Sequence, residues 1–441
     1  MAMTKKETEI WIKQATVLTQ PGTIKHDQDI WIKNGRIAAA GPNLKLNDFT
    51  GTTLDGRNLL FMPGLIDSHL HTGQQLLRGR VLDAKPIIWT RIMLPFESTL
   101  TPEKMQLSAQ SAALEMITSG TTGFAESGSY YMTAAAKVYA QSGLRGALAY
   151  STMDDPTLPA SIKMSAVEAI HHTDALYNEF HQHGNLKVYY SLRALNACST
   201  ELVLLAANAA KAHQTFLEAH MNEYPQEVAG IIARTGKTPY EWLDSLGVLT
   251  ENFLGAHSIF LTEQEKKLLQ KYHIKVCHCP FSNAGKGVPD TPDLLKMGIR
   301  VGLGTDGTAH GGLSLWNEMK IFRSIMNLYY GVKQGIPNIM PAKTIFQIVL
   351  NGGAAALNEA GQLGKIQPGY KADLIGINLD QPHLYPTGNL QNTLLESVNS
   401  NDVTEMIVGG KQLMHQREVL TLDEEKIMFT LKQKRMKLGI E

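Results

Sequence analysis

The chain has 441 residues, 43% of them apolar, and its 41 Lys and Arg side chains are balanced by 41 Asp and Glu. Zero formal net charge excludes the basic excess of a nucleic-acid or anionic-membrane binder. Three cysteines, Cys198, Cys277 and Cys279, make no disulfide framework and point to a reducing compartment. The polar start, residues 1–9, has no apolar stretch of signal-peptide type behind it. The apolar runs fall short of the roughly 20 residues a membrane span needs. A soluble, cytoplasmic globular protein is expected, with room for about three ordinary domains or one large barrel and an accessory part.

In chain order, residues 10–13, 30–33, 36–40 and 58–62 read as short strands, punctuated by Pro21-Gly22, Asn34-Gly35 and Asp55-Gly56. From Pro63 the pattern changes to apolar strands followed by helices. Strand-like runs begin near Gly64, Thr121, Gly146, Leu186, Gln214, Leu254, Ile274 and Ile299, and residues 102–119 form an amphipathic helix. Eight β units alternating with helices over about 300 residues predict an α/β fold of (β/α)8 TIM-barrel type. Strands return at 372–377 and 403–408. The expected layout is a barrel over 63–362 and a small composite β-sandwich built from both chain ends, 1–62 and 363–441.

Catalytic groups of such a barrel gather at the C-terminal ends of its strands. The first strand ends in His69-Leu70-His71, whose imidazoles are two apart and share a face. The fifth ends at His220, the sixth at His257 and the eighth at Asp306. Four strand ends carrying metal-binding side chains predict a metal site. The second His-x-His, His181-Gln182-His183, follows the helical stretch 166–180 and reads as solvated, as do His171 and His172.

The order His-x-His, His, His, Asp resembles the amidohydrolase superfamily. It is most similar to the aminohydrolase branch that holds S-adenosylhomocysteine/methylthioadenosine deaminases, guanine deaminase and triazine hydrolases. Pro63-Gly64-Leu65-Ile66-Asp67-Ser68-His69-Leu70-His71 carries the first-strand signature, and His220-Met221-Asn222-Glu223 its His-x-x-Glu. The segment Val276-Cys277-His278-Cys279-Pro280-Phe281-Ser282-Asn283, then Gly304-Thr305-Asp306-Gly307, match the seventh and eighth strands. Residues 363–374 match the return into the sandwich.

The resemblance implies one divalent ion, zinc or else iron, held by His69, His71, His220 and Asp306. It implies that His257 hydrogen-bonds the attacking hydroxide and that Glu223 carries a proton from water to a ring nitrogen. Asp306 would also accept the hydroxide proton. Binuclear relatives need a carboxylated lysine at the end of the fourth strand. Here Lys187 stands at its beginning and Arg193 closes it, which argues for a single ion.

The substrate expected from the resemblance is a small amino-substituted nitrogen heterocycle, a purine base or an adenosine derivative, losing ammonia. Hydrolysis of a cyclic amide, N-acyl or triazine substrate is the alternative, and a non-catalytic binding barrel a remote one. Gln74, and Arg193 within Arg193-Ala194-Leu195-Asn196-Ala197-Cys198-Ser199, are similar to guanine deaminase positions that contact the base. Leu94-Pro95-Phe96-Glu97 resembles the nucleoside-deaminase segment whose glutamate holds ribose hydroxyls. His310 is a further candidate pocket residue. Glu126 either orients a ligand or solvates the rim, and Cys277 and Cys279 read as wall residues. A homo-oligomer, dimer or tetramer, is implied by the family.

Overall fold

The computed structural model describes residues 9–85 and 87–437. Its first strands are longer than the short apolar runs suggest. Glu9–Gln20 and Thr23–Lys33 form one antiparallel hairpin through the turn at Pro21-Gly22, with Trp11 opposite Trp31 and Glu9 opposite Lys33. Leu59–Pro63 lies parallel to the first strand, and Leu374–Asn378 pairs with it on its other side, with Leu374 opposite Pro63. Val403–Val408 and Lys411–His415 then extend the array. Both chain ends therefore join in a single hydrogen-bonded sheet of nine strands. Its inward side chains, among them Ile10, Ile12, Val17, Ile30, Ile32, Phe61, Leu374 and Ile407, make a core of their own.

Only Gly64 separates this sheet from Leu65–Leu70, the first of the parallel strands, and a Cβ there would overlap the Thr122 side chain. The parallel strands follow in sequence order. Leu65–Leu70, Thr121–Glu126, Arg145–Leu148 and Lys187–Val188 form one four-stranded sheet. Tyr190–Leu192, Leu217–Met221, Phe253–His257, Lys275–His278 and Arg300–Leu303 form a five-stranded one. The fourth strand belongs to both sheets: Tyr189 N donates to Leu148 O at 2.9 Å and Tyr190 N to Phe216 O at 3.2 Å. Beyond the eighth strand the chain meets the first again, where Leu70 and Asp306 form a parallel bridge and Asp306 N donates to His69 O at 3.0 Å.

The intervening helices carry their stop and start signals in sequence. Pro102–Ser119 has Pro102 in its first turn, the Thr101 hydroxyl on Lys104 N at 3.3 Å, and left-handed Gly120 at its end. Ser165 with Glu168, and Thr262 with Glu265, form reciprocal capping boxes at the starts of Ala166–Phe180 and Glu263–Lys271. The large apolar core lies between these helices and the parallel strands. No helix among the described residues is long and apolar enough to cross a membrane.

Candidate metal and catalytic site

Five side chains converge where the parallel strands end. His69, His71, His220, His257 and Asp306 are all buried, and the rings of neighbouring histidines lie 4.7–5.3 Å apart by centroid. The chain turns sharply as it leaves these strands. His257 (φ 64°), Asp306 (φ 59°) and Asn222 (φ 50°) are left-handed, a conformation that costs a residue with a Cβ and that collects at functional sites.

The partners of the His69 and His257 rings set which nitrogen faces inward. His69 Nδ1 donates to Glu218 Oε1, whose other oxygen accepts from the Tyr189 hydroxyl. His257 Nδ1 donates to Asn283 Oδ1 at 3.0 Å. In both rings Nε2 is left buried, without a hydrogen bond among the described residues. His71 Nδ1 lies 2.7 Å from the Ser127 hydroxyl, and its Nε2 stands 3.2 Å from His220 Nε2 and 3.3 Å from Asp306 Oδ1. His69 Nε2 lies 3.8 Å from the same carboxylate oxygen. Two imidazole nitrogens facing each other, a carboxylate oxygen 3.3 Å from one of them and an orphaned Nε2 beside them fit a bound cation. Three sets of three, His69 with His71 and Asp306, His69 with His220 and His257, and His257 with Cys279 and Asp306, each bring one donor atom per residue within 4.8 Å of the others.

The electrostatics favour neutral rings at His71 and His220. At His69 burial pushes downward, but Glu218, with Asp306 and Asp67, outweighs it and raises the imidazole above its ordinary value. Burial, and then the Arg193 guanidinium beside it, hold His71 well below the usual histidine range. Burial, with the neighbouring histidines and Arg193, does the same to His220. Burial by itself would raise Asp306, but His71, Lys286 and His257 outweigh it and hold the carboxyl well below its usual range. For Glu223, too, burial pushes upward, and His257 and Lys286 bring the balance below the ordinary value.

Glu223, three residues past His220, places Oε1 3.6 Å from His257 Nε2. It lines a cavity of about 230 Å³ together with His71, Gln74, Arg193, His310 and Lys286. Trp89 and Met93, from a segment whose role had no signature in the sequence, supply apolar wall. Glu97 is placed differently from the other candidates. It stands behind Gln74 and Arg193, accepting from Gln74 Nε2 at 2.7 Å and Arg193 Nη2 at 2.9 Å on one oxygen, and borders a separate cavity of about 290 Å³. Glu126 neither points at the ligand cluster nor solvates the rim. It is buried, accepts from Thr72 N at 2.6 Å, the Thr72 hydroxyl and the Ser129 hydroxyl at 3.1 Å, and is pushed up to about 7 by burial. It pins the turn that follows His71.

The sequence reading passed over Glu218, Lys286, Ser282 and Asn283. Glu218 was legible in principle: two residues before His220 on the same strand, it must share that ligand's face. Lys187, the lysine at the start of the fourth strand, pairs with Glu359 at 2.5 Å, and Arg193 holds the other end.

Comparison with known proteins agrees with this geometry. The amidohydrolase family pattern matches residues 60–413, and the chain belongs to that family. It is 33% identical over 407 residues to the 5'-deoxyadenosine deaminase of Methanocaldococcus jannaschii, covering 91% of this chain and 94% of that one. It is 31% identical over 439 residues to the 5-methylthioadenosine/S-adenosylhomocysteine deaminase of Pelotomaculum thermopropionicum, covering 97% and 98%. Among solved structures it is similar to an adenosine deaminase from Xanthomonas campestris with bound zinc, with a TM-score of 0.92, 24% identity, and coverage of 98% and 99%.

Proposed function

We propose that this member of the amidohydrolase family hydrolytically deaminates a purine-type substrate, using one divalent ion, zinc first. The reading takes the two parallel sheets as one eight-stranded barrel over 63–362, with 1–62 and 363–441 as its companion β-structure. His69, His71, His220 and Asp306 would hold the ion, which would make hydroxide available at neutral pH. The salt-bridged Lys187 and the Arg193 terminus of the fourth strand support one ion rather than two.

The observation that carries the reading is Glu223 beside His257 in the wall of the same cavity that the ligand cluster faces. An ionised carboxylate there takes a proton from water and passes it to a ring nitrogen of the purine. The adjacent carbon then accepts hydroxide, and its amino group leaves as ammonia. His257, its Nδ1 fixed by Asn283, presents Nε2 to the attacking oxygen, and Asp306 takes the proton of the added hydroxyl and passes it to the amino group, which departs as ammonia. The relatives' names put 5'-substituted adenosines first as substrates. A second reading, an oxo-purine such as guanine, is favoured by one observation. Arg193, a donor suited to a ring carbonyl, lines the cavity with Gln74, while Glu97 is withdrawn behind them.

The test is ammonia release over 5'-deoxyadenosine, methylthioadenosine, S-adenosylhomocysteine, adenosine and guanine, with metal content measured on the same preparation. About one ion per chain is expected. Glu223→Gln should keep that ion, because the amide leaves His220 in place, and lose about 10² to 10⁴ in kcat. Full metal with near wild-type turnover in Glu223→Gln would overturn the proposal.

A further inference from the structure

The segment after the seventh parallel strand touches the site at three points. Pro280–Asn283 is a single helical turn, and Lys286 N closes back on Asn283 O at 2.8 Å. Asn283 holds His257, as described. The Ser282 hydroxyl donates to Asp306 Oδ2 at 2.6 Å. Lys286 Nζ reaches Glu223 Oε1 at 2.5 Å, donates to Ser282 Oγ at 2.6 Å and lies 3.7 Å from Asp306 Oδ2. One chain of contacts, Glu223 to Lys286 to Ser282 to Asp306, thus joins the two carboxylates to which the proposed reaction assigns its protons.

We infer that Lys286 is a positioning residue that, with Ser282, holds Glu223 and Asp306 in their working orientation. The inference rests on the deaminase reading above. Three features carry it. The Lys286 side chain is only 6% exposed, and a buried ammonium is tolerated only with close partners; both anionic partners here belong to the site. A charge-assisted bond to Oε1 fixes the Glu223 rotamer and leaves Oε2 as the oxygen free to carry a proton. The backbone next to Lys286 is closely packed, since a Cβ at Gly287 would press on Ile259 and Phe260. Nothing in the composition of the loop Ala284-Gly285-Lys286-Gly287 marks this role; it comes from where the loop returns.

The experiment is a double-mutant cycle on metal-loaded protein, with Lys286→Met and Glu223→Gln alone and combined. The substrate is whichever purine of the panel wild type turns over fastest, and the binding probe is the deaminated product of that purine, by calorimetry. Lys286→Met is expected to keep one ion per chain, hold KM and product affinity within about threefold, and lower kcat about 10²-fold, the lower end of what a placed acid-base group supplies. In the Glu223→Gln background the same change should cost less than about threefold, because the group being positioned is already disabled. Lys286→Gln, which keeps a donor in place of the ammonium, is read the same way if the methionine variant does not fold. An inactive Glu223→Gln beside a Lys286→Met enzyme with wild-type kcat overturns the inference and leaves the deaminase reading standing. Equal losses in both backgrounds, or a loss of metal with Lys286→Met, overturn it too. No purine turned over, or an active Glu223→Gln, overturns the reading and the inference together.

Discussion

Arg193 shows how one residue serves two parts of the pocket. Its Nη1 donates to Gly128 O at 2.9 Å and its Nη2 to Glu97 Oε1 at 2.9 Å, so both ends of the guanidinium are anchored. Nη1 also stands 2.5 Å from His71 Nδ1. A guanidinium has no acceptor, so this contact cannot be a bond from an Nδ1–H; it disfavours the imidazolium and keeps the His71 ring neutral. Lysine in its place can serve one anchor but not both. Arg193→Lys should therefore raise KM about tenfold, roughly 1.4 kcal/mol, while metal content stays near one per chain. Steady-state kinetics with metal analysis checks this, and an unchanged KM would remove Arg193 from the substrate pocket. The clustering of His69, His71, His220, His257 and Asp306 was legible because each is a metal-binding type at the end of an apolar strand. Lys286 was not, because a loop lysine between glycines has no periodicity to place it, and only the folded return of the loop brings it to Glu223.

Among the elements, the parallel strands were readable from their apolar runs, and Pro102–Ser119 from its cap and its terminal glycine. The hairpin Glu9–Gln20 with Thr23–Lys33 was read short, since its polar middle, Thr23 to Gln28, has no apolar alternation and is held by ladder bonds instead. The seventh parallel strand carries a feature of its own at the end away from the site. Lys275 is buried there, donating to Glu251 O and to Asn358 Oδ1 at 3.1 Å, and burial, with Arg300 nearby, depresses it to about 8. Between about pH 8 and the ordinary lysine value, the unfolded chain holds a proton that the folded chain has lost. Stability from this residue consequently rises with pH across that window and is lost as pH falls through about 8. The difference in unfolding free energy between wild type and Lys275→Met should shift in favour of wild type by about 3 kcal/mol from pH 7 to 10.5. Urea titrations of both proteins at each pH measure it, and a difference that stays flat would show that Lys275 titrates as it does in water.

At the scale of the whole molecule, the question is what couples the terminal sheet to the parallel strands that carry the site. Asp373 stands at the junction. Its carboxylate takes a two-pronged bond from Arg145, Nε at 2.6 Å and Nη2 at 3.0 Å, and a third from Gly409 N at 2.8 Å. Its carbonyl accepts from Gly64 N at 3.0 Å, the single residue between the sheet and the first parallel strand. Arg145 opens the third parallel strand, so this pair lies at the end of the strands opposite the histidine cluster. Both partners are buried, and removing one leaves the other as an uncompensated charge, a loss of about 3–5 kcal/mol. Arg145→Met and Asp373→Asn should each cost roughly that amount. The double variant should cost clearly less than their sum, because neither charge is then stranded. Turnover per folded molecule should stay within about twofold of wild type, since no ligand or pocket residue touches the pair. Urea unfolding of the four proteins, with ammonia release on each, tests both halves. Additive losses of under about 1 kcal/mol apiece would mean that the junction is held by the core packing between the two units and that the ion pair is incidental to it.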